Sequence, residues 1–132
     1  MSESKKIDEK YTCVCDGGEM RQVLGGPYYK YTQNLKVNMG VKCKVILNER
    51  TMKDPFSSEV RGSIKWLPND YEFPVSVWTY NEKTILLDWY KKPLSTIIMN
   101  NKNIYKTYLT QFKSLWKEKG VKYQELYSKL TR

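Results

Sequence analysis

The stretch from Pro74 to Gly120 constrains the fold most, because its hydrophobic period changes partway along it. At 74–80, β-branched side chains alternate with serine and aromatic side chains, the two-residue period of a β-strand. The turn at 81–83 and the apolar segments at 84–90 and 94–99 predict a β-hairpin followed by a third strand.

The same stretch then predicts a long helix over residues 101–119. Its apolar side chains recur at helical spacing and its lysines lie on the opposite face. Asn100 or Asn101 suits the N-cap and Gly120 suits the C-terminal end. The predicted buried stripe consists of Ile104, Tyr105, Tyr108, Leu109, Phe112, Leu115 and Trp116.

The first third of the chain has the pattern of a strand–helix–strand unit. Tyr11–Cys15 is a short apolar strand, and residues 16–26 are a glycine-rich connection. A helix starts near Pro27 and ends at Gly40, and Val41–Leu47 is the next strand. Two strands joined through a helix predict a parallel pair with a right-handed crossover.

The other segments complete an α/β fold class, with a mixed β-sheet sandwiched by helices. Residues 48–61 predict a loop or a short helical turn, Gly62–Leu67 a strand, and 121–132 a short final helix. We interpret residues 1–10 as a disordered polar arm and residues 11–132 as a single domain.

The formal charge of +9 favours weak attraction to nucleic acid or anionic surfaces. Lysines and arginines are scattered along the chain, so a solvated basic surface is the simpler interpretation. The sequence contains no apolar run long enough to span a bilayer and no signal-peptide pattern, so we expect no membrane association and a cytoplasmic location.

The chain contains three cysteines and no histidine. Cys13, Cys15 and Cys43 lie in predicted strands, where small buried side chains are their simplest role, and we expect no disulfide between Cys13 and Cys15. Three thiols without histidine give no four-ligand zinc set, so we expect no metal and no cofactor. The absence of histidine also excludes Ser-His and Cys-His nucleophiles.

Glycines in the 16–26 connection are weak candidates for a ligand-binding loop: Gly17, Gly18, Gly25 and Gly26. Backbone amides of such a loop can bind phosphate, but the spacing matches neither the P-loop nor the dinucleotide pattern. A connection that uses glycine for its positive φ angles is the favoured interpretation.

Two further groups carry weaker hypotheses. Asp88 interrupts an apolar strand and, with Lys83, could form a displaced hydrolase site, although an exposed aspartate is the more common situation. Residues 28–31, Tyr-Tyr-Lys-Tyr, could add to a platform that stacks single-stranded nucleic acid.

The order of several motifs resembles that in the C-terminal effector domain of archaeal TrmB-like transcription regulators. They are the Gly-Val strand at Val41–Leu47, the Leu67-Pro68 stop, the Pro-Val strand Pro74–Tyr80 and the closing Tyr-x3-Phe-x2-Leu-Trp-Lys helix at 108–117. The resemblance covers residues 11–118 and implies a phospholipase-D-like half domain. The winged helix–turn–helix of these regulators has no counterpart among the matched motifs.

The resemblance also implies that the domain is not an enzyme. Active phospholipase-D enzymes carry His-x-Lys-x4-Asp on the corresponding hairpin strand, where the histidine is the nucleophile. Pro74, Ser76 and Asn81 occupy those three places here. We therefore expect a non-catalytic scaffold.

The resemblance predicts a regulatory domain of archaeal type that acts as a homodimer and binds a ligand or a partner, such as a DNA-binding regulator supplied in trans. Paired phospholipase-D halves place the hairpin at the interface, which makes Trp78, Tyr80, Trp89 and Tyr90 the candidate contacts. The alternative is a small basic nucleic-acid-binding protein.

Overall fold

The central strand β1 (Lys10–Cys15) belongs to a seven-stranded sheet, and the computed structural model describes residues 10–130. Residues 1–9 of the predicted arm at 1–10 and the last two residues of the chain lie outside the described residues, and Lys10 belongs to β1. The other elements are α1 (Gly17–Leu24), α2 (Gly26–Met39), β2 (Lys42–Asn48), a 3₁₀ helix (Glu49–Lys53), α3 (Phe56–Glu59), β3 (Gly62–Leu67), β4 (Ser76–Tyr80), β5 (Lys83–Asp88), β6 (Ser95–Asn100), α4 (Lys102–Trp116) and β7 (Lys122–Leu126).

The sheet is mixed and has the order β6-β5-β4-β1-β2-β3-β7. β1, β2 and β3 run parallel, and every other neighbouring pair is antiparallel. The parallel pair β1–β2 is joined through α1 and α2, so the predicted parallel pairing is confirmed. The α/β class with a mixed sheet and helices on both faces is also confirmed.

One face of the sheet, here called the closed face, packs against α1, α2 and α3. Its buried cluster contains Cys13, Cys15, Cys43, Val45, Leu47, Ile64 and Trp66 from the strands, and Met20, Tyr29, Phe56, Val60 and Trp89 from the covering segments. The rings of Tyr29 and Phe56 are 5.3 Å apart. A Cβ on Gly17 would lie 1.9 Å from the Phe56 ring, so glycine permits this close approach.

The opposite face, here called the open face, packs against α4. Val14, Ile46 and Leu67 meet Phe112 in a smaller buried cluster. Asn101 caps α4 as predicted, because its Oδ1 accepts hydrogen bonds from the amides of Asn103 at 2.9 Å and Ile104 at 3.0 Å. The helix ends at Trp116, three residues before the predicted end.

The predicted glycine-rich connection at 16–26 is wrong in one respect, because α1 occupies most of it. Met20 of α1 is buried in the closed-face cluster, and this burial offsets the low helix propensity of the two glycines at its start. Gly25 separates α1 from α2 with φ of 89°, a backbone conformation that glycine adopts without strain.

The predicted final helix at 121–132 is also wrong: residues 122–126 form β7, antiparallel to β3. Without β7, β3 would leave a row of unpaired amides and carbonyls at the sheet edge. The Val121 amide already donates to the Trp66 carbonyl at 2.9 Å, which aligns the chain for pairing. Strand pairing therefore overrides the helical spacing of the local apolar residues.

The hairpin and its neighbour are close to the prediction. Asn81 and Glu82 have φ of 51° and 65° and form a two-residue turn, so Lys83 belongs to β5 rather than to the turn. β5 ends at Asp88, two residues earlier than predicted.

The segment 48–61 contains the 3₁₀ helix and α3, consistent with the predicted helical turn. Among residues 10–130, no helix combines the length and apolarity that a membrane crossing requires.

Candidate functional site

Four lysines lie on the open face of neighbouring strands, and we call this set the lysine face: Lys10, Lys42, Lys44 and Lys65. They occupy the positions that alternate with the buried residues of the closed face, because successive side chains in a strand point to opposite sides. Lys10 and Lys42 are direct partners across the β1–β2 pair, so this register brings together residues that are 32 positions apart in sequence.

The lysine face borders a cavity of about 360 Å³ beside α4. α4 packs on β1, β4, β5 and β6, and its Tyr105 and Leu109 form one wall of the cavity. Thr12 and Thr79 share a hydrogen bond between their hydroxyls on the adjoining strands β1 and β4. Ser63 and Tyr127 also line the cavity, and their hydroxyls lie 2.6 Å apart. The cavity therefore offers hydroxyl groups and lysine ammonium groups together.

Three lysines of this face contact aromatic rings. The Lys44 Nζ lies 5.3 Å from the centre of the Trp116 ring, and the Lys42 Nζ lies 5.8 Å from that of Tyr127. The Lys65 Nζ donates to the Trp116 carbonyl at the end of α4 and lies 5.9 Å from the same ring. Lys65 is thus used to hold the helix, whereas Lys10, Lys42 and Lys44 are exposed.

Within the described range 10–130, no lysine of the lysine face forms an ion pair with a carboxylate. Glu125 of β7 lies at the edge of the open face, and it accepts a hydrogen bond from the Tyr123 hydroxyl at 2.7 Å. That hydrogen bond raises the pKa of the Tyr123 hydroxyl. Within residues 10–130 the lysine face therefore carries ammonium groups without ion-pair partners, which is the chemistry of an anion-binding surface.

A second cavity, of about 390 Å³, lies where β1, β2 and β5 end. Asp16, Arg50, Asp54 and Tyr90 line it together with Gly18. The Tyr90 hydroxyl donates to Asp16 at 2.7 Å, and burial together with this hydrogen bond raises the pKa of Tyr90 well above its ordinary value. Both signs of charge are mixed here, so this cavity has no preference for an anion.

The structure gives the four candidate glycines structural positions rather than an open loop. Gly17 and Gly18 begin α1, and only Gly18 lines the second cavity. Gly25 is the positive-φ junction, and a Cβ on Gly26 would lie 2.7 Å from the Arg21 guanidinium. Phosphate binding at this segment stays an untested prediction.

Two of the four candidate dimer contacts serve packing within the chain. Trp89 is 7% exposed and its Nε1 donates to the Ser76 hydroxyl at 3.0 Å. Trp78 is half-buried and its ring is stacked on that of Tyr11. Tyr80 is half-buried, and Tyr90 is half exposed with its hydroxyl on Asp16. A dimer centred on the hairpin stays an untested prediction.

The proposed pairing of Asp88 with Lys83 does not occur. The two residues occupy opposite ends of β5, about 17 Å apart at 3.3 Å per residue, and their side chains point to opposite faces. Asp88 instead accepts a hydrogen bond from the Tyr90 amide at 3.1 Å. Asp88 and Lys83 therefore do not lie together in one site, and hydrolase activity stays an untested prediction.

The tyrosines at 28–31 also separate. Tyr29 is buried in the closed-face cluster, while Tyr28 and Tyr31 are exposed with their ring centres 6.2 Å apart. Trp116 of α4 is half-buried between two lysines and Tyr123 rather than in the centre of the core. No continuous stacking platform results.

The three cysteines are buried and unpaired. Burial raises the pKa of the Cys13 thiol, so this thiol stays protonated at neutral pH. The Cys43 thiol donates to the Arg61 carbonyl at 3.3 Å. In the part of the chain that the structure describes, no group of three or more cysteine or carboxylate side chains is arranged to hold a metal ion.

The lysine face was not predicted, because its lysines are scattered along the sequence. One local signal was present: Lys42 and Lys44 alternate with apolar residues in a predicted strand, which places them on the same side. The contributions of Lys10 and Lys65 require the strand register, which the sequence does not give.

No protein-family model and no curated protein sequence matches the chain. A solved structure is similar in fold: TrmBL2, an archaeal chromatin protein whose structure shows a novel mode of DNA binding. The superposition has a TM-score of 0.55 at 14% sequence identity and covers 85% of this chain and 45% of TrmBL2. This chain therefore shares the fold of slightly less than half of a TrmB-like protein.

Proposed function

We propose that the chain is a non-catalytic regulatory domain of TrmB-like type that binds the phosphate backbone of nucleic acid through the lysine face. The observation that carries this proposal is the convergence of Lys10, Lys42 and Lys44, all exposed and without a carboxylate partner among the described residues. Clustered ammonium groups bind phosphates and release condensed counterions from the nucleic acid.

Backbone contacts fit this surface better than base stacking. Aromatic stacking needs a free ring face, but lysines lie against the rings of Trp116 and Tyr127. The lysines sit on a sheet face beside α4, whereas base readout in the major groove uses an inserted helix or ribbon. We therefore expect binding that depends little on sequence and strongly on salt.

The similarity in fold to TrmBL2 supports the proposal. TrmBL2 is an archaeal chromatin protein whose structure shows a novel mode of DNA binding, and this chain shares the fold of part of it. The shared fold is consistent with a chromatin or regulatory role.

A regulatory effector domain with a small anionic ligand is the second candidate function, and the 360 Å³ cavity favours it. The cavity combines lysines with the hydroxyls of Ser63, Thr79 and Tyr127, which are suitable donors to a small phosphorylated or carboxylated molecule. Competition between such a ligand and nucleic acid for the lysine face would give the domain a regulatory function.

The absence of catalysis is part of the same proposal. Ser76 is buried beneath Trp89, and Asn81 forms part of the exposed β4–β5 turn. Neither side chain, nor Pro74, provides a nucleophile paired with a general base. We expect no phosphodiesterase activity from this hairpin.

The experiment is fluorescence anisotropy of a labelled 20-base-pair duplex over a series of salt concentrations. Replacing both Lys42 and Lys44 with glutamine removes two charges from the lysine face. The matched control replaces Lys91 and Lys92, which are exposed in the loop before β6, and removes the same charge. We expect the Lys42/Lys44 variant to bind the duplex roughly tenfold or more weakly. The slope of log affinity against log salt concentration should become shallower by about 2, whereas the Lys91/Lys92 control should keep the wild-type affinity and slope.

Equal effects of the two variants would contradict the proposal, because they would assign binding to net charge alone. Absence of duplex binding by the wild-type protein at low salt would also overturn it. Titration of the labelled complex with inorganic phosphate at constant ionic strength then tests the second candidate, which predicts displacement of the duplex.

A further inference from the structure

We propose that two copies of this chain pair through the exposed edge of β6, extending the sheet from one copy into the next. β6 (Ser95–Asn100) is the last strand on its side of the sheet, bonded only to β5 within the described residues. Its outer backbone amides and carbonyls are therefore available to another strand.

The two edges of the sheet differ in their protection against such pairing. At the opposite edge, β7 carries Lys122 and Glu125, and charged side chains on an edge strand discourage pairing. Residues 94–101 contain no charged residue and no proline, in a chain of which 28% is charged. β6 thus lacks the usual protection of an edge strand.

Large aliphatic side chains are exposed along the same edge. Ile97 is 53% exposed, Ile98 is 62% exposed and Leu94 is 44% exposed. Since side chains alternate along a strand, Ile97 lies on the side of α4 and Ile98 on the other side. Pairing with another strand would cover both isoleucines, one on each face of the extended sheet.

A second copy is the occupant that fits this edge. An acidic partner would be attracted to the basic surfaces, but residues 94–101 offer it no charge. Two copies that each carry a formal +9 repel each other, and the repulsion is least along residues 94–101, the uncharged segment between Lys92 and Lys102.

Strand geometry also permits β6 to pair with itself. In an antiparallel pair with a twofold axis normal to the sheet, each residue faces a partner residue on the same side of the sheet. A twofold axis at Ile97 or at Ile98 places that residue opposite its own copy. Both registers pair aliphatic and uncharged polar side chains only, because the whole strand is Ser-Thr-Ile-Ile-Met-Asn.

This interface differs from the hairpin contact that the family resemblance implied, and it does not depend on nucleic-acid binding. Trp78→Ala could not distinguish loss of an interface from loss of internal packing, because Trp78 stacks on Tyr11 within the chain. Exposed positions of β6 avoid that difficulty.

The test is sedimentation velocity of the full chain over roughly a hundredfold range of concentration, with Ile98→Lys compared with Val121→Lys. Ile98 and Val121 are both exposed aliphatic residues, at opposite edges of the sheet. We expect a wild-type dimer whose dissociation constant rises roughly tenfold or more in Ile98→Lys, because the two introduced lysines lie opposite each other in one register and diagonal to each other in the other register. Val121→Lys adds the same charge and should leave the dimer intact.

A wild-type protein that is monomeric at every concentration would overturn the proposal, as would a dimer that Ile98→Lys does not weaken. Hydrogen exchange provides a second measurement: amides of residues 95–100 should gain protection as the wild-type concentration rises, whereas amides of β7 should not. Duplex binding by the Ile98→Lys monomer separates the two proposals, because the lysine face is retained in it.

Discussion

The two faces of the central sheet are built from the same strands and have opposite characters. On the closed face, β1 and β2 present Cys13, Cys15, Cys43, Val45 and Leu47 to three helices. On the open face, the intervening positions include Lys10, Thr12, Lys42 and Lys44 beside a single helix. The difference arises because β1 and β2 have one solvated side. In such a strand apolar and polar residues alternate, whereas a strand buried on both sides needs apolar residues throughout.

This comparison separates what holds the fold from what is available to a partner. The closed face carries the larger of the two buried apolar clusters. The buried apolar cluster that the structure describes on the open face is smaller: Val14, Ile46 and Leu67 meet Phe112 of α4. We therefore expect substitutions on the closed face to change stability and substitutions of the open-face lysines to change binding.

The largest effect should come from truncation of a buried ring on the closed face. Phe56 is fully buried against Tyr29 and Gly17, so Phe56→Ala should lower the free energy of unfolding by about 3–5 kcal/mol. The matched variant on the open face is Phe112→Ala. It should cost about 2 kcal/mol, because Phe112 borders open cavities on the α4 side where water can replace the ring.

Urea unfolding followed by circular dichroism measures both variants, with their m-values compared to check for two-state behaviour. Equal losses in the two variants would break the comparison, because they would show that α4 seals its face as tightly as the three helices seal theirs.

A second prediction concerns alkaline pH. Burial raises the pKa of the Cys13 thiol above its ordinary value of 9.0 and that of the Tyr11 phenol above 10.0. Above pH 9 the unfolded chain loses protons that the folded chain retains, so stability is complete below pH 9 and falls as the pH rises. Each group contributes a slope of about 1.4 kcal/mol per pH unit above its ordinary pKa.

Urea unfolding at pH 7, 9 and 10.5 checks this slope in Cys13→Ala and in Val14→Ala. The two residues are adjacent in β1 and both buried, but Val14 lies on the open face and does not titrate. Cys13→Ala should flatten the decline between pH 9 and 10.5, and Val14→Ala should retain it. An unchanged slope in Cys13→Ala would mean that this thiol ionises equally in both states.

The sequence predicted the central part of this fold because its signals are local. The alternation at 74–80, the helical stripe at 101–119 and the Asn101 cap each depend on residues close together in the chain, and the structure places the corresponding elements there. The parallel β1–β2 pair follows from the strand–helix–strand order.

The errors occurred where a distant partner decides the local structure. β7 is a strand because β3 lies beside it, and α1 is a helix because Met20 packs into a core assembled from other segments. The lysine face has the same origin. Its four residues come from three strands, and only the register of those strands places their side chains side by side.

The smallest expected effect is on the stability of the lysine face itself. Lys44→Gln should change the free energy of unfolding by less than about 0.5 kcal/mol, because Lys44 is exposed and loses only its contact with the Trp116 ring. Lys65→Gln should cost about 1 kcal/mol, since the Lys65 ammonium donates to the Trp116 carbonyl at the end of α4.

Thermal and urea unfolding of these two variants, beside duplex binding by each, separate the roles of two lysines on one surface. Lys44→Gln should weaken duplex binding without a change in stability, and Lys65→Gln should lower stability more than it weakens binding. A Lys44→Gln protein as unstable as Phe112→Ala would assign Lys44 to the packing of α4. The lysine face would then be part of the core, and the contrast between the two faces would no longer explain binding.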